Sequence, residues 1–130
     1  MNELILQLKK TGATLSKVSY AMLTEQLISA VVLSFSDGQS IAISVNEDTD
    51  EIVVASTPPS QDPAMDASTK SPWWGAVGKP IFAAWMLENH NGTRDAIQFA
   101  FGATASDEPR VIQLEGAAST VQVGVLVGTN

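Results

Sequence analysis

The sequence predicts an α+β fold that is predominantly an antiparallel β-sheet, and three observations carry that reading. Apolar residues from Ile28 onward recur at every second position; the pairs Asp37-Gly38 and Asn91-Gly92 fall between such runs; and helical spacing is clear only in the first ten residues. The expected architecture is a meander of seven or eight strands sharing one buried side, a roll or sandwich, with one or two short helices.

Taken in order, Asn2 is placed to cap a helix over Glu3 to Lys10, with Leu4, Ile5 and Leu8 on one face and Gly12 as its stop. Leu15 to Leu27 fits either period, and the poor helix formers Val18, Ser19 and Tyr20 favour a strand. Ile28 to Phe35, the Asp37-Gly38 turn and Ile41 to Val45 read as a hairpin, and a second polar turn, Asn46 to Asp50, returns the chain through Glu51 to Ala55. Residues 57–72 contain Pro58, Pro59, Pro63 and Pro72 with no apolar period, which predicts a long surface loop ending at Trp73-Trp74. Lys79 to Glu88 is apolar on both alternating sides, so both faces are expected to be covered, with Trp85 in the core. Asn89 to Gly92 turns the chain into Asp95 to Phe101. Ser106 to Pro109 leads into Val111 to Glu115, and a last strand carries Val121, Val123, Val125 and Val127 on one face.

At 130 residues, 45% of them hydrophobic, the chain has enough apolar surface for one core and too little length for two, so residues 1–130 are read as a single domain. There is no cysteine, which removes disulfides, thiolate metal sites and cysteine nucleophiles from consideration. The net charge of −7, with only 7 Lys and Arg residues, argues against nucleic acid and anionic membranes as partners, because both are bound through clustered cations. Lys9 and Lys10 follow the first apolar stretch instead of preceding it, the reverse of a secretory signal, and no run reaches membrane-spanning length. A cytoplasmic protein of bacterial type is the expectation.

Asn46 to Glu51 gathers carboxylates, yet counting from Asp48 a calcium loop needs glycine and glutamate where Val53 and Pro59 stand. His90 is the single histidine and sits in a turn. No nucleophile elbow and no phosphate-binding glycine loop occurs, so no catalytic residue, metal ligand or cofactor is expected. Trp73 and Trp74 are either an exposed platform for a partner or a lid closing one end of the β-core, with the lid favoured.

At Asp48-Thr-Asp-Glu-Ile52, Trp85-x-x-Glu-Asn89, Asn91-Gly92, Asp95 and Gln98-Phe-x-Phe101 the chain resembles a family of small, mostly bacterial proteins of unknown function. The resemblance runs in order from about Leu33 to Val123, and departs from the family pattern at Thr93, where that pattern has an aromatic residue. It implies the β-rich fold and supplies no reaction. It also implies a hypothesis about convergence: if the turn bearing Asp48, Asp50 and Glu51 and the hairpin bearing Asn89, Asn91 and Asp95 share one end of the sheet, their polar groups meet near Trp85. With Trp73 and Trp74 these are the candidate binding residues.

The leading functional expectation is a non-catalytic interaction module, of the immunity or antitoxin kind, with a basic protein as partner. The alternatives are a small-ligand binder or carboxylate-based enzyme using the turns at 46–51 and 89–95, and a structural subunit that forms a homodimer through the valine-rich last strand.

Overall fold

A computed structural model of the chain describes residues 3–57, 62–102 and 110–127. The fold is α+β and mostly antiparallel β, with one α-helix and two sheets. Helix α1 (Glu3–Thr11) buries Ile5 and Leu8 and packs against the strand Ile81–Glu88; Gly12, at φ 70, ends it where a side chain would be strained. Asn2, the expected cap, lies outside the described residues.

The first sheet has the order β4-β3-β2-β1-β5, built from β1 (Leu15–Met22), β2 (Ile28–Phe35), β3 (Ser40–Val45), β4 (Ile52–Ala55) and β5 (Ala64–Asp66). The second has the order β6-β7-β8-β9, from β6 (Ile81–Glu88), β7 (Arg94–Phe101), β8 (Arg110–Ala117) and β9 (Thr120–Val127). The strand reading of Leu15 onward is therefore the right one, and it stops at Met22. The expected turn at Ser106 to Pro109 lies outside the described residues.

Two departures from the expected meander have physical causes. The chain does not continue one sheet: after β4 it crosses to the opposite edge of the first sheet, pairs briefly as β5 with Ser19–Ala21, and then starts a second sheet. The 57–72 segment, expected as loop, thus holds a short strand. Three residues between prolines are too few for a period to register, and pairing to the edge of β1 is what makes them extended. In addition, Trp85 is 47% exposed and not in the core. β6 is an edge strand, a bulge between Ile81 and Ala83 resets its alternation, and Trp85 pairs opposite Gln98 on the face turned away from buried Phe99 and Ile97.

The core lies between the sheets. Val18, Tyr20, Val31, Leu33, Ile41 and Ile43 face Ile97, Phe99, Phe101, Ile112 and Leu114, with β2 and β3 packed on β9 and β4 on β7. The sheets are tied at two corners. At one, Thr14 bridges Pro80, the Leu15 N–H donates to the Lys79 carbonyl (2.9 Å) and the Gly78 N–H to the Leu15 carbonyl (2.7 Å). At the other, the Asn46–Glu51 turn meets the β8–β9 hairpin. No helix among the described residues is long and apolar enough to cross a membrane.

Candidate functional site

The second corner organises one end of the molecule. Asn46 shapes its turn from within: its Oδ1 accepts from the Asp48 N–H (2.9 Å) and the Thr49 N–H (3.3 Å), while the Asp50 N–H returns to the Asn46 carbonyl (2.9 Å). Asp50 then reaches across to the other sheet, where its Oδ1 accepts the Ser119 N–H at 3.1 Å. This approach is possible because position 116 is glycine: a Cβ there would stand 2.6 Å from the Asp50 carbonyl oxygen. Asp50 is thus a clamp between sheets. Glu47 and Asp48 are exposed and Glu51 is half-buried, and among the described residues their carboxylates have no hydrogen-bond partner.

The Asn89 hairpin holds itself. Asn89 Oδ1 accepts from the Asn91 N–H (2.9 Å) and the Thr93 N–H (3.1 Å), its Nδ2 donates to Asp95 Oδ2 (3.3 Å), and Gly92 takes φ 82 to close the loop. His90 and the Asn91 side chain face solvent. The register Ala96↔Glu115 puts this hairpin at the same end of its sheet as Ala117–Thr120, and hence at the same end of the molecule as Asp50. The two turns therefore share an end, yet among the described residues no hydrogen bond joins them.

The three tryptophans part company. Trp73 is fully buried, donates its indole N–H to the Tyr20 hydroxyl at 2.6 Å and meets Phe101 edge-on at 6.2 Å, the packing of a lid. Trp74 is half exposed, with the guanidinium of buried Arg110 4.7 Å from its ring centroid. Gly75 makes room for that guanidinium, which a Cβ would overlap. Trp85 stands on β6, the edge strand against which α1 packs, between a groove of about 340 Å³ lined by Ala84, Met86, Glu88 and Arg94 and one shared with Ile5, Leu6 and Lys9 of the helix. Glu88 and Arg94 face one another at 3.9 Å where the strand enters the hairpin.

Sequence reasoning missed Gly75, Arg110, Gly116, Ser119 and Tyr20. Nothing local marks Gly116 or Ser119, since their role appears only when the distant turn that carries Asp50, 69 residues before Ser119, folds onto them. Tyr20 could have been suspected, as the only tyrosine inside a strand, and burial pushes its phenol pKa up while the bond from Trp73 pulls it the other way.

Electrostatically this end is one-sided. Glu47, Asp48, Asp50 and Glu51 from the first sheet join Glu88, Asp95 and Glu115 from the second, seven of the 14 carboxylates, with Arg94 as the one Lys or Arg among these turns and strand ends. Lys9, Lys10, Lys17, Lys79 and Arg110 sit on α1 and near the opposite ends of β1, β6 and β8. Among the described residues no three His, Asp or Glu side chains are grouped to hold a metal ion.

No curated protein and no solved structure matches the chain. A family model covering residues 1–127 does, and the protein accordingly belongs to the family of unknown function DUF6334.

Proposed function

We propose that this protein is a non-catalytic interaction module whose acidic end receives a basic protein, with Trp85 as the apolar anchor at its margin. The observation that carries the reading is the placement of seven carboxylates against Arg94 alone at one end, with Trp85 half exposed on the adjoining strand edge. Long-range attraction of this kind speeds encounter and selects against acidic partners, and an exposed aromatic ring gives the contact area that charge alone lacks. A partner neutralised in this way fits the immunity or antitoxin kind of module. The Asp50 clamp and the self-contained Asn89 hairpin support it further, because rigid turns present charges without an ordering cost on binding.

The test is affinity capture with the native chain and with a variant carrying Glu47→Gln, Asp48→Asn, Glu51→Gln and Glu88→Gln. The first three side chains have no hydrogen-bond partner among the described residues, and Glu88 makes only the long surface pair with Arg94. The native chain is expected to retain a basic protein that elutes as salt rises through roughly 0.1–0.5 M, and the variant to lose it. Retention of the same protein by both, with unchanged salt dependence, or an acidic partner, rejects the reading.

A further inference from the structure

We propose that the groove beside the free edge of β9 takes an extended, uncharged peptide segment of another protein, which adds to the second sheet as a fifth strand. β9 ends its sheet and, among the described residues, pairs only with β8. Its turn, Ala118–Ser119, has both residues at positive φ and closes on the pair Ala117↔Thr120. In such a hairpin the closing pair exchanges both backbone bonds, and the pattern alternates from there. Thr120, Gln122 and Gly124 therefore bond to β8, while Val121, Val123 and Val125 turn their N–H and C=O groups to the open side. The strand contains no charged residue and no proline, the usual means by which an edge refuses a partner.

Beside the first half of that edge lies a groove of about 420 Å³, walled by Tyr20, Gln26, Leu27, Ile28 and Ser71 opposite Thr120–Val123. The wall is preformed: the Leu23 N–H donates to the Leu27 carbonyl, and Thr24 Oγ1 accepts from the Gln26 and Leu27 N–H groups. No Asp, Glu, Lys, Arg or His is among its described lining residues, in a chain of net charge −7. A charged side chain entering there would lose water and find no counter-ion, so the occupant is uncharged.

Tyr20 gives a second, independent observation. Its side chain is 7% exposed, and its oxygen already accepts the Trp73 indole N–H. A phenol that accepts still has its own proton to donate, and among the described residues nothing receives it. A peptide carbonyl lying along β9 supplies that acceptor. A folded second copy does not fit as well as a lone segment. Gln26–Ile28 line the groove beside Thr120–Val123, and in a two-fold pairing of β9 with itself both copies would bring that wall into the contact, whereas a single extended segment lies between wall and edge. This groove shares its end of the molecule with the Asp50–Ser119 joint but lies on the opposite edge of the sheet from Trp85, and its occupant is uncharged where the partner of the acidic end is basic, so the two are tested separately.

The experiment is a titration of the isotopically labelled full chain, followed by backbone amide NMR, with the blocked hexapeptide acetyl-Thr-Val-Gln-Val-Thr-Val-amide and with the same peptide N-methylated throughout. Shifts are expected at Val121, Val123 and Gln26–Ile28, with the methylated peptide at least tenfold weaker because it has no backbone donor. Tyr20→Phe should weaken the plain peptide roughly fivefold, the worth of one hydrogen bond. Since that change also leaves the Trp73 indole without its acceptor, Val123→Pro is the second variant: it removes an outward N–H, which an edge strand tolerates, and trims a half-buried side chain at the margin of the core, so with the amide spectrum otherwise unchanged it should lower affinity about as much as methylation does. Equal binding of the two peptides, shifts centred on another face, or no binding at a few millimolar peptide overturns the proposal.

Discussion

The turns at Asn46–Glu51 and Asn89–Thr93 are alike in sequence and different in what they do. Each opens on an asparagine whose side chain gathers two backbone N–H groups of its own loop. The second stops there: its remaining side-chain bond, to Asp95, is six residues away. The first goes on to spend Asp50 on Ser119, 69 residues distant, and fits its backbone against Gly116. A polar turn can thus be a local cap or a joint between sheets, and only the second kind makes the two sheets depend on one another.

That contrast can be broken experimentally, and the largest expected effect is at Gly116. Gly116→Ala places a methyl group 2.6 Å from the Asp50 carbonyl oxygen and 3.2 Å from a Val45 methyl, and backbone cannot retreat as a flexible side chain can. A loss of roughly 2–3 kcal/mol is expected, as for other overpacked sites, visible as a fall of about 10 °C in Tm. A fall under 2 °C would show that the joint is loose. Asp50→Ala comes next. It removes the acceptor for the Ser119 N–H and leaves alanine at φ 58, for a loss of about 1.5 kcal/mol by urea denaturation. Asn89→Ala removes two local acceptors at an exposed hairpin and should cost about 1 kcal/mol. The sharper measurement is their coupling. Asp50→Ala and Asn89→Ala should add, whereas Asp50→Ala with Gly116→Ala should not, because the latter two disturb one contact. Smallest is a gain: Ala118→Asn, at φ 51 in a two-residue turn, should raise stability by about 0.5 kcal/mol, since asparagine accepts that backbone more readily than alanine.

The candidate site was partly legible for the same reason that the turns were. Asn46, Asn89, Asn91 and Gly92 announce hairpins through local chemistry, and the strands they join follow from apolar alternation, which is imposed by each strand having one covered face. Trp85 shows where this fails. An edge strand apolar on both sides gives the same pattern whichever side is covered, and only the bulge after Ile81 and the pairing with Gln98 turn the ring outward. Trp73 and Trp74 are adjacent and chemically identical, yet one is fully buried and the other is half exposed over Arg110. The segment around β5 has no pattern at all, because its extended form is borrowed from β1.

By itself, then, the sequence determined the fold class, the helix at the start, the order of the main strands and the two asparagine-led turns, because each rests on interactions within a few residues or on which face of an element is apolar. The division into two sheets, the Asp50–Gly116–Ser119 joint, the outward Trp85, and the groove between Tyr20 and the free edge of β9 were decided by the tertiary structure. They depend on which distant surfaces meet, and residues about fifty to a hundred apart leave no periodic trace of one another in the chain.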